Sequence, residues 1–157
     1  MNENPIVRIA NNDDIESIAN IHQQSFERQF DSYTWVKSTL AAWPRFMVYV
    51  ILNDVKIVGY IFWQQKSGIR TRVILELDQI AIQSDFRGKG LGEILIKNSL
   101  TEVENLLRNN DQTIKSILVS TRDDNKAKQL YKKVLNSKEV AKIANLYSST
   151  EVLMLSE

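Results

Sequence analysis

The amino-acid sequence predicts an α/β fold, a mixed, mostly antiparallel and twisted sheet of six or seven strands with helices on both faces. Two observations favour this fold. Runs of β-branched and aromatic residues, bounded by turn formers, alternate with segments whose apolar residues recur at helical spacing. The chain of 157 residues is also long enough to bury a core without disulfides, so we expect residues 1–157 to form a single domain.

The first part of the chain predicts a strand, two helices and a hairpin. Asp13, with Glu16 three residues later, is typical of a helix start, and Pro44 is expected to stop the second helix. Asn53 and Asp54 suit a tight turn between two strands, which should therefore be antiparallel neighbours. The predicted elements are a strand over residues 6–9, helices over residues 13–28 and 35–42, and strands over residues 46–52 and 55–63.

The second part of the chain predicts further strands and helices in alternation. A long strand over residues 72–82 leads into a glycine-rich turn, and from Leu91 apolar residues recur at helical spacing as far as residue 109. Asp123 and Asp124 are possible N-caps for another helix. That helix carries Ala127, Leu130, Tyr131, Val134 and Leu135 on one face. The remaining predicted strands cover residues 116–120, 140–146 and 152–155.

The charge balance narrows the range of partners. Twenty Lys and Arg residues against nineteen Asp and Glu residues give a formal net charge of +1, so no global field attracts nucleic acid or an anionic membrane. No apolar stretch approaches the roughly 20 residues that span a bilayer, and the start of the chain does not have the pattern of a signal peptide. We therefore expect a cytoplasmic protein with neither a nucleic-acid nor a membrane partner.

The chain contains no cysteine and a single histidine, His22. Without cysteine, a thiolate metal site and a covalent acyl-cysteine intermediate are excluded. His22 falls on the apolar stripe of the first predicted helix, which favours a packed histidine over a catalytic one. We expect no metal site.

A glycine-rich turn at residues 87–92 has the outline of a phosphate site. The sequence I-A-I-Q-S-D-F-R-G-K-G-L-G brings a strand directly to a turn that opens a helix. Gly88, Gly90 and Gly92 allow positive φ angles, so that successive amide N–H groups can converge on an anion. The helix N-terminus adds partial positive charge there, and Arg87 and Lys89 could add more.

The three glycines also allow other interpretations. They could form a turn that is merely flexible. A P-loop would need a Gly-Lys-Ser/Thr ending, which Leu91 and Gly92 do not supply. A nicotinamide dinucleotide fold would need G-x-G-x-x-G and an acidic residue at the end of the next strand, whereas Asp111 precedes that strand. An NAD enzyme is therefore only a distant alternative.

The chain resembles the GNAT superfamily of N-acetyltransferases, whose signature [QR]-x-x-G-x-[GA] is matched by Arg87, Gly90 and Gly92. The resemblance implies that acetyl-CoA is the co-substrate. It also implies that two neighbouring strands splay apart to admit it, between Ile82 and residues 116–120. The implied pyrophosphate ligands are the amides of Arg87, Gly88, Lys89, Gly90, Leu91 and Gly92, and the implied pantetheine partners are the backbone groups of Ile80, Ala81 and Ile82.

A second signature of this family is a helix that carries A-x-x-L-Y, matched by Ala127, Leu130 and Tyr131. The resemblance implies that Tyr131 gives a proton to the departing thiolate of CoA. The alternative is a core tyrosine, since Tyr131 lies on the apolar face of the predicted helix. The position seven residues before Tyr131, usually Asn, is Asp124, with Asn125 following it, and the resemblance implies a cofactor contact there.

The acceptor amine must be neutral before it can attack. At pH 7, deprotonating a lysine costs about 4.6 kcal/mol, against about 1 kcal/mol for an α-amino group. Glu76 lies five residues before Ala81, where the histone-acetylating branch of the family carries its general base. Asp78 shares that strand face by period-two alternation, so either carboxylate could act, directly or through water. A solvated carboxylate without a catalytic role is the alternative.

The layout of the chain also resembles the ribosomal-protein N-terminal acetyltransferases of that superfamily, through Ser25-Phe26, the Asn-Leu-Tyr of residues 145–147 and the ending E-V-L-M-L. This resemblance implies a peptide α-amine as acceptor, with a small-molecule amine as the alternative. Without a cysteine nucleophile, transfer should be direct, within a ternary complex. A module that binds acyl-CoA without turnover is the second hypothesis. The protein could be a monomer or a homodimer.

Overall fold

A seven-stranded sheet organises residues 4–157, the part of the chain that the computed structural model describes. The strands are β1 (Ile6–Ile9), β2 (Phe46–Asn53), β3 (Lys56–Lys66), β4 (Arg72–Ile82), β5 (Thr113–Arg122), β6 (Lys138–Ile143) and β7 (Glu151–Ser156). They lie in the order β1-β2-β3-β4-β5-β7-β6, and only β4 and β5 run parallel. The predicted mixed, mostly antiparallel sheet is confirmed.

Four α-helices cover the two faces of the sheet, as predicted. They are α1 (Ile15–Ser25), α2 (Ser32–Ala41), α3 (Leu91–Asn109) and α4 (Ala127–Leu135). Because side chains alternate between the faces of a strand, β3 supplies both cores. Trp63 joins the apolar cluster under α3 and α4, whereas Tyr60 and Phe62 join the cluster under α1 and α2. None of the helices in the described residues is long and apolar enough to cross a membrane.

The connection between α1 and α2 differs from the prediction. Helix α1 ends at Ser25, three residues early, and α2 begins at Ser32, three residues before the predicted start. The carboxylate of Asp31 accepts a hydrogen bond from the Thr34 N–H at 3.0 Å, which caps α2 one turn earlier than its apolar pattern indicates. Trp35 therefore lies in the first turn of α2.

The predicted N-caps of α4 are wrong. The Oδ1 atom of Asn125 accepts a hydrogen bond from the Ala127 N–H at 2.9 Å, so Asn125 caps the helix. Asp123 pairs instead with Lys128 at 2.9 Å. Asp124 pairs with Arg122, also at 2.9 Å. Both carboxylates are thus engaged in ion pairs, and the side chain of the neighbouring Asn125 caps the helix.

The strands β4 and β5 separate partway along their length. Their parallel pairing runs from Arg72 opposite Thr113 to Glu76 opposite Leu118 and goes no further. Beyond that point β4 continues to pair with β3, while β5 continues to pair with β7. The sheet therefore opens between the carboxyl ends of β4 and β5, where the family resemblance implies a splay.

A β-bulge marks the point where the two strands part. Leu77 is opposite Trp63 and Gln79 is opposite Phe62, so Asp78 is an extra residue on β4. A bulge of this kind bends its strand and increases the local twist. The bend turns β4 away from β5. Residues 77–82 therefore have no strand partner on the side that faces β5.

Candidate functional site

The turn between β4 and α3 presents backbone N–H groups at the mouth of the opening. A 3₁₀ turn over Ser84–Phe86 precedes Gly88 and Gly90, whose φ angles are 74° and 78°. Gly90 is the N-cap of α3 and supplies no side chain, so no side-chain oxygen caps the first N–H groups of the helix. Residues 87–90 are exposed. Free amides and a helix N-terminus together form a site suited to an anion.

The three glycines of this turn serve two purposes. An added Cβ atom at Gly88 or Gly90 would meet no other atom within 4 Å, so these two glycines are required by their positive φ angles. Gly92 has no positive φ, and a Cβ there would lie 3.3 Å from Cδ2 of Leu130. Gly92 therefore allows α3 to approach α4, the helix that carries Tyr131.

The basic side chains of the turn fold back onto its ends. The Arg87 guanidinium donates a hydrogen bond to the Ile82 carbonyl at 2.8 Å and a long one to Ser25 Oγ at 3.5 Å. The ammonium group of Lys89 lies 5.2 Å from the centre of the Phe86 ring. Arg87 thus ties the turn to the end of β4 and to the end of α1.

The backbone of Ile80, Ala81 and Ile82 lies on the unpaired stretch of β4. On one edge these residues pair with β3, from Ile80 opposite Ile61 to Ile82 opposite Gly59. On the other edge β5 has already diverged, so the polar groups that point there have no strand partner. The Ile82 carbonyl is the exception to an open edge, because it accepts the hydrogen bond from Arg87. Ile80, Ala81 and Ile82 are the three residues that, by the family resemblance, pair with the pantetheine arm.

Tyr131 lies on α4, on the other side of the opening. It is 5% exposed and belongs to the same apolar cluster as Leu91 of α3 and Val119 of β5. Burial raises the pKa of the Tyr131 hydroxyl to about 12, so the phenol keeps its proton at neutral pH. A phenol in this state can donate a proton but cannot act as a base.

Asp124 and Asn125 follow the carboxyl end of β5. The side chain of Asn125 makes two hydrogen bonds, because it caps α4 and also donates to Thr121 Oγ1 at 2.9 Å. Asp124 is bound to Arg122 and lines an open cavity of about 360 Å³ together with Asp123, Ser149 and Thr150. The structure therefore places residues 80–92 on one side of the opening and residues 124–131 on the other.

Two carboxylates on β4 have different surroundings. The ammonium group of Lys66 lies 2.9 Å from Glu76 Oε2 and forms an ion pair with that carboxylate. Asp78, at the bulge, is the more perturbed group. Burial raises its pKa to about 6, the charge of Glu76 adds to this rise, and the charge of Lys66 opposes it.

Asp78 should lower the stability of the fold above pH 6. Because its pKa rises from 3.8 to about 6 on folding, the folded state binds the proton more tightly than the unfolded state does. The loss of folding stability that comes from ionising Asp78 is absent below pH 4, grows between pH 4 and pH 6, and reaches its full size above pH 6. We expect Asp78→Asn to stabilise the protein at pH 8 by about 1–3 kcal/mol, and to have little effect at pH 4.

Thermal unfolding of Asp78→Asn at both pH values checks this expectation. Asp54→Asn, at the exposed turn between β2 and β3, is a matched control that should shift the melting temperature little at either pH. An Asp78→Asn difference of the same size at pH 4 and pH 8 would contradict the assignment.

The sequence did not identify the polar and aromatic groups on the α1 side of β4. The indole N–H of Trp35 donates to Gln79 Oε1 at 3.3 Å, which ties α2 to the bulged strand. His22 is fully buried, as its apolar stripe predicts. Burial lowers the pKa of its imidazole. Period-two alternation along β3 could have placed Tyr60 on this face, and the change in alternation phase between Leu77 and Ile80 could have indicated the bulge at Asp78.

Comparison with solved structures finds the same architecture in known acetyltransferases. Ard1 from Thermoplasma volcanium is 26% identical, with a TM-score of 0.76 over 96% of this chain and 95% of that chain. The ribosomal-protein-S18-alanine N-acetyltransferase from Escherichia coli is 16% identical, with a TM-score of 0.78 over 98% and 93%. An aminoglycoside 6'-N-acetyltransferase complexed with coenzyme A is 14% identical, with a TM-score of 0.76 over 96% of each chain.

Sequence comparison identifies the family as well. No curated protein matches the chain. The family model described as the acetyltransferase (GNAT) domain matches residues 44–134, a segment that includes the bulge, the glycine turn and Tyr131. Since this segment is more than half of the chain, the protein belongs to the GNAT acetyltransferase family.

Proposed function

We propose that the protein transfers an acetyl group from acetyl-CoA directly to an amine. The observation that carries this proposal is the opening between β4 and β5, with free amides at its mouth and the Tyr131 helix on its far side. Among the structural neighbours, Arabidopsis thaliana NAA60 was solved in complex with acetyl-CoA, with a TM-score of 0.78 at 13% identity.

In this proposal the co-substrate completes the open edge of the sheet. The pyrophosphate binds amides among residues 88–92, where the helix N-terminus favours negative charge. The N–H of Arg87 already donates to the Ser84 carbonyl at 3.3 Å, so Arg87 contributes its charge rather than its amide. The pantetheine arm pairs with the backbone of residues 80–82 and leads the thioester into the opening. Asp124 and Asn125 border the arm from the α4 side.

We propose Asp78 as the group that accepts the proton of the amine, in preference to Glu76. A base works best when its pKa lies near the working pH. Asp78, with a pKa of about 6, meets this condition. Glu76 is already engaged in an ion pair with Lys66. Glu76 then contributes by raising the pKa of Asp78 through its charge.

The proposed reaction proceeds in a ternary complex. The amine nitrogen attacks the thioester carbon, so that a C–N bond forms as the C–S bond breaks. The proton of the amine passes to the Asp78 carboxylate, directly or through water. Tyr131 gives its hydroxyl proton to the CoA thiolate and recovers one from solvent. The chain has no cysteine to hold the acetyl group in between.

A peptide α-amine is the acceptor that we favour. Residues 26–31 follow α1, whose end is tied to the glycine turn by Arg87, and residues 144–150 follow β6 near the carboxyl end of β5. The two loops therefore flank the opening. They and the start of α2 carry exposed apolar side chains that could contact a peptide, namely Phe30, Trp35, Leu146 and Tyr147.

The relatives leave the acceptor class open. Arabidopsis thaliana Naa50, with a TM-score of 0.76 at 11% identity, was solved with a bisubstrate analogue that contains a peptide. The aminoglycoside acetyltransferase acts on a small molecule, as its name states. A small-molecule amine is thus the second candidate.

Release of free CoA tests the proposal. We expect acetyl-CoA to raise the melting temperature, NAD to have no effect, and at least one amine to release CoA above the hydrolysis rate. The panel should pair peptides that have a free α-amine with their Nα-blocked forms, and include small polyamines and aminoglycosides. A thiol reagent can follow the reaction because the protein has no thiol of its own.

The outcomes separate the candidate functions. Stabilisation by acetyl-CoA without turnover on any amine would favour the binding module. Greater stabilisation by NAD than by acetyl-CoA would refute the proposal.

A further inference from the structure

The β-bulge of β4 places two consecutive polar side chains on the same face of the sheet. Leu77 and Ile80 both pack in the apolar core under α3 and α4. Because side chains alternate along a strand, Asp78 points to the opposite face, which α1 and α2 cover. Gln79 lies directly opposite Phe62, a residue of the core under α1 and α2, so Gln79 shares that face. The bulge therefore brings the carboxyl of Asp78 and the carboxamide of Gln79 side by side.

The orientation of the Gln79 carboxamide is determined by Trp35. The indole N–H of Trp35 donates to Gln79 Oε1 at 3.3 Å, and this is the only hydrogen bond that the Gln79 side chain makes within residues 4–157. An indole nitrogen can only donate, so the carboxamide oxygen faces Trp35 and the NH₂ group faces away from it. Gln79 is half-buried and its Nε2 is open to solvent, so the donors of this group are available to a ligand.

Gln79 also lies next to the proposed reaction centre along β4. It follows Asp78, the proposed base, and precedes Ile80, the first of the residues proposed to pair with the pantetheine arm. The pairing of β4 with β5 ends at Glu76, so no strand covers this edge of residue 79. An acceptor whose amine reaches Asp78 therefore has the Gln79 amide beside it.

We propose that Gln79 is an acceptor-binding residue whose Nε2 donates a hydrogen bond to the first carbonyl oxygen of the acceptor. Trp35 is then a positioning residue that holds the carboxamide in this orientation. The acceptor class is an α-amino amide, in which the carbonyl is attached to the carbon that carries the amine. Such a molecule can present its amine to Asp78 and its carbonyl to Gln79, which are neighbouring side chains. The amine of a lysine side chain or of a polyamine has no carbonyl at this spacing.

A free amino acid is a poorer acceptor in this arrangement. Its α-carboxylate would lie on the same face as Asp78 and Glu76, and like charges repel. Lys66, the cation beside them, is already paired with Glu76 at 2.9 Å. The inference rests on the proposed function, because it names the acceptor class of the same site.

Binding of the acceptor can be tested without turnover. The carboxamide ¹H and ¹⁵N resonances of Gln79 are assigned by their absence in Gln79→Met. In protein saturated with CoA, we expect alaninamide to shift these resonances more than alanine does. It should also shift them more than sec-butylamine, which keeps the branched carbon but has no carbonyl. If alaninamide leaves the Gln79 resonances in place, or if sec-butylamine shifts them equally, the assignment of Gln79 is overturned.

The second test compares turnover of two acceptors. Gln79→Met keeps the length of the side chain and removes its donors. We expect the ratio of kcat/KM for alaninamide to kcat/KM for sec-butylamine to fall about fivefold to tenfold, the worth of one hydrogen bond. The different pKa values of the two amines cancel, because both amines are measured with each protein. The KM for acetyl-CoA should be the same in the variant and the wild type.

Gln64→Met is the matched control. Gln64 is also half-buried, but it lies on β3 opposite Glu76, where β4 is still paired with β5. This substitution should leave the ratio at its wild-type value. Trp35→Phe keeps an aromatic ring and removes the indole N–H, so it should lower the ratio by about two- to threefold. A merely structural role of Trp35 would lower kcat/KM for both acceptors equally and leave the ratio in place.

The outcomes distinguish this inference from the proposed function. If the wild type acetylates alaninamide and the ratio in Gln79→Met equals that in Gln64→Met, the role of Gln79 is refuted while the proposed function stands. If alaninamide shifts the Gln79 resonances but no amine is acetylated, Gln79 remains a binding residue and the proposed function fails instead.

Discussion

Replacing Tyr131 by phenylalanine is expected to lower kcat about 10²- to 10⁴-fold, the usual worth of a positioned proton donor. The phenol would give its proton to the thiolate, which becomes negatively charged only as the thioester breaks. Loss of the hydroxyl should therefore raise the activation barrier without weakening the binding of acetyl-CoA, so acetyl-CoA affinity should change little. Single-turnover kinetics together with calorimetric titration of CoA separate the two quantities.

A structural role for Tyr131 makes a different prediction. Tyr131 and Tyr49 belong to the same apolar cluster and both are buried, so Tyr49→Phe measures what the loss of a buried hydroxyl does to packing alone. Phenylalanine keeps the ring in both variants, and the two melting temperatures should remain close to that of the wild type. If kcat falls equally in both variants, or in neither, Tyr131 is not the proton donor.

Gly90→Glu is expected to abolish the stabilisation of the protein by acetyl-CoA. The substitution puts a side chain on a residue with φ of 78° and a carboxylate where the pyrophosphate should lie. At a ligand concentration of 100 times the wild-type Kd, the stabilisation that would be lost is about 2.7 kcal/mol. A thermal-shift titration measures it directly.

Gly68→Glu is the matched control for backbone strain. Gly68 has φ of 105°, lies in the connection between β3 and β4, and also has no atom within 4 Å of an added Cβ. Both variants should therefore lose stability without ligand through the same unfavourable conformation. Only Gly68→Glu should still be stabilised by acetyl-CoA. If Gly90→Glu responds like Gly68→Glu, the phosphate lies elsewhere.

Elements with a strong local pattern could be predicted from the sequence. The boundaries of β4 agree with the prediction at both ends, because apolar residues recur from Val73 to Ile82 and polar residues follow before the glycine turn. The turn and the start of α3 follow for a local reason too, since residues with positive φ angles favour glycine. The residues that the family resemblance assigns to acetyl-CoA thus lie on elements that the sequence predicts well, and their roles in binding stay a prediction.

Features that depend on distant partners could not be predicted. Asp123, Asp124 and Asn125 are three adjacent residues that can each cap a helix. The choice falls on Asn125 because Lys142 of β6 engages Asp123 and the nearby Arg122 engages Asp124. The bulge at Asp78 is marked by no glycine or proline, and only the change in apolar alternation between Leu77 and Ile80 indicates it. It reflects the fit of β4 to β3, and it gives Asp78 rather than Glu76 the perturbed environment.

The contact between Gly92 and Leu130 has a consequence for how such sequences can vary. An alanine at position 92 would require the Leu130 methyl group to yield by a few tenths of an ångström, and a larger residue would push the two helices apart. Positions 92 and 130 are thus coupled by volume. Among related sequences we expect their side-chain sizes to covary inversely, independently of any change at Gly88 or Gly90. The residue at position 92, although it is part of the glycine motif, would then be determined by the spacing of two helices.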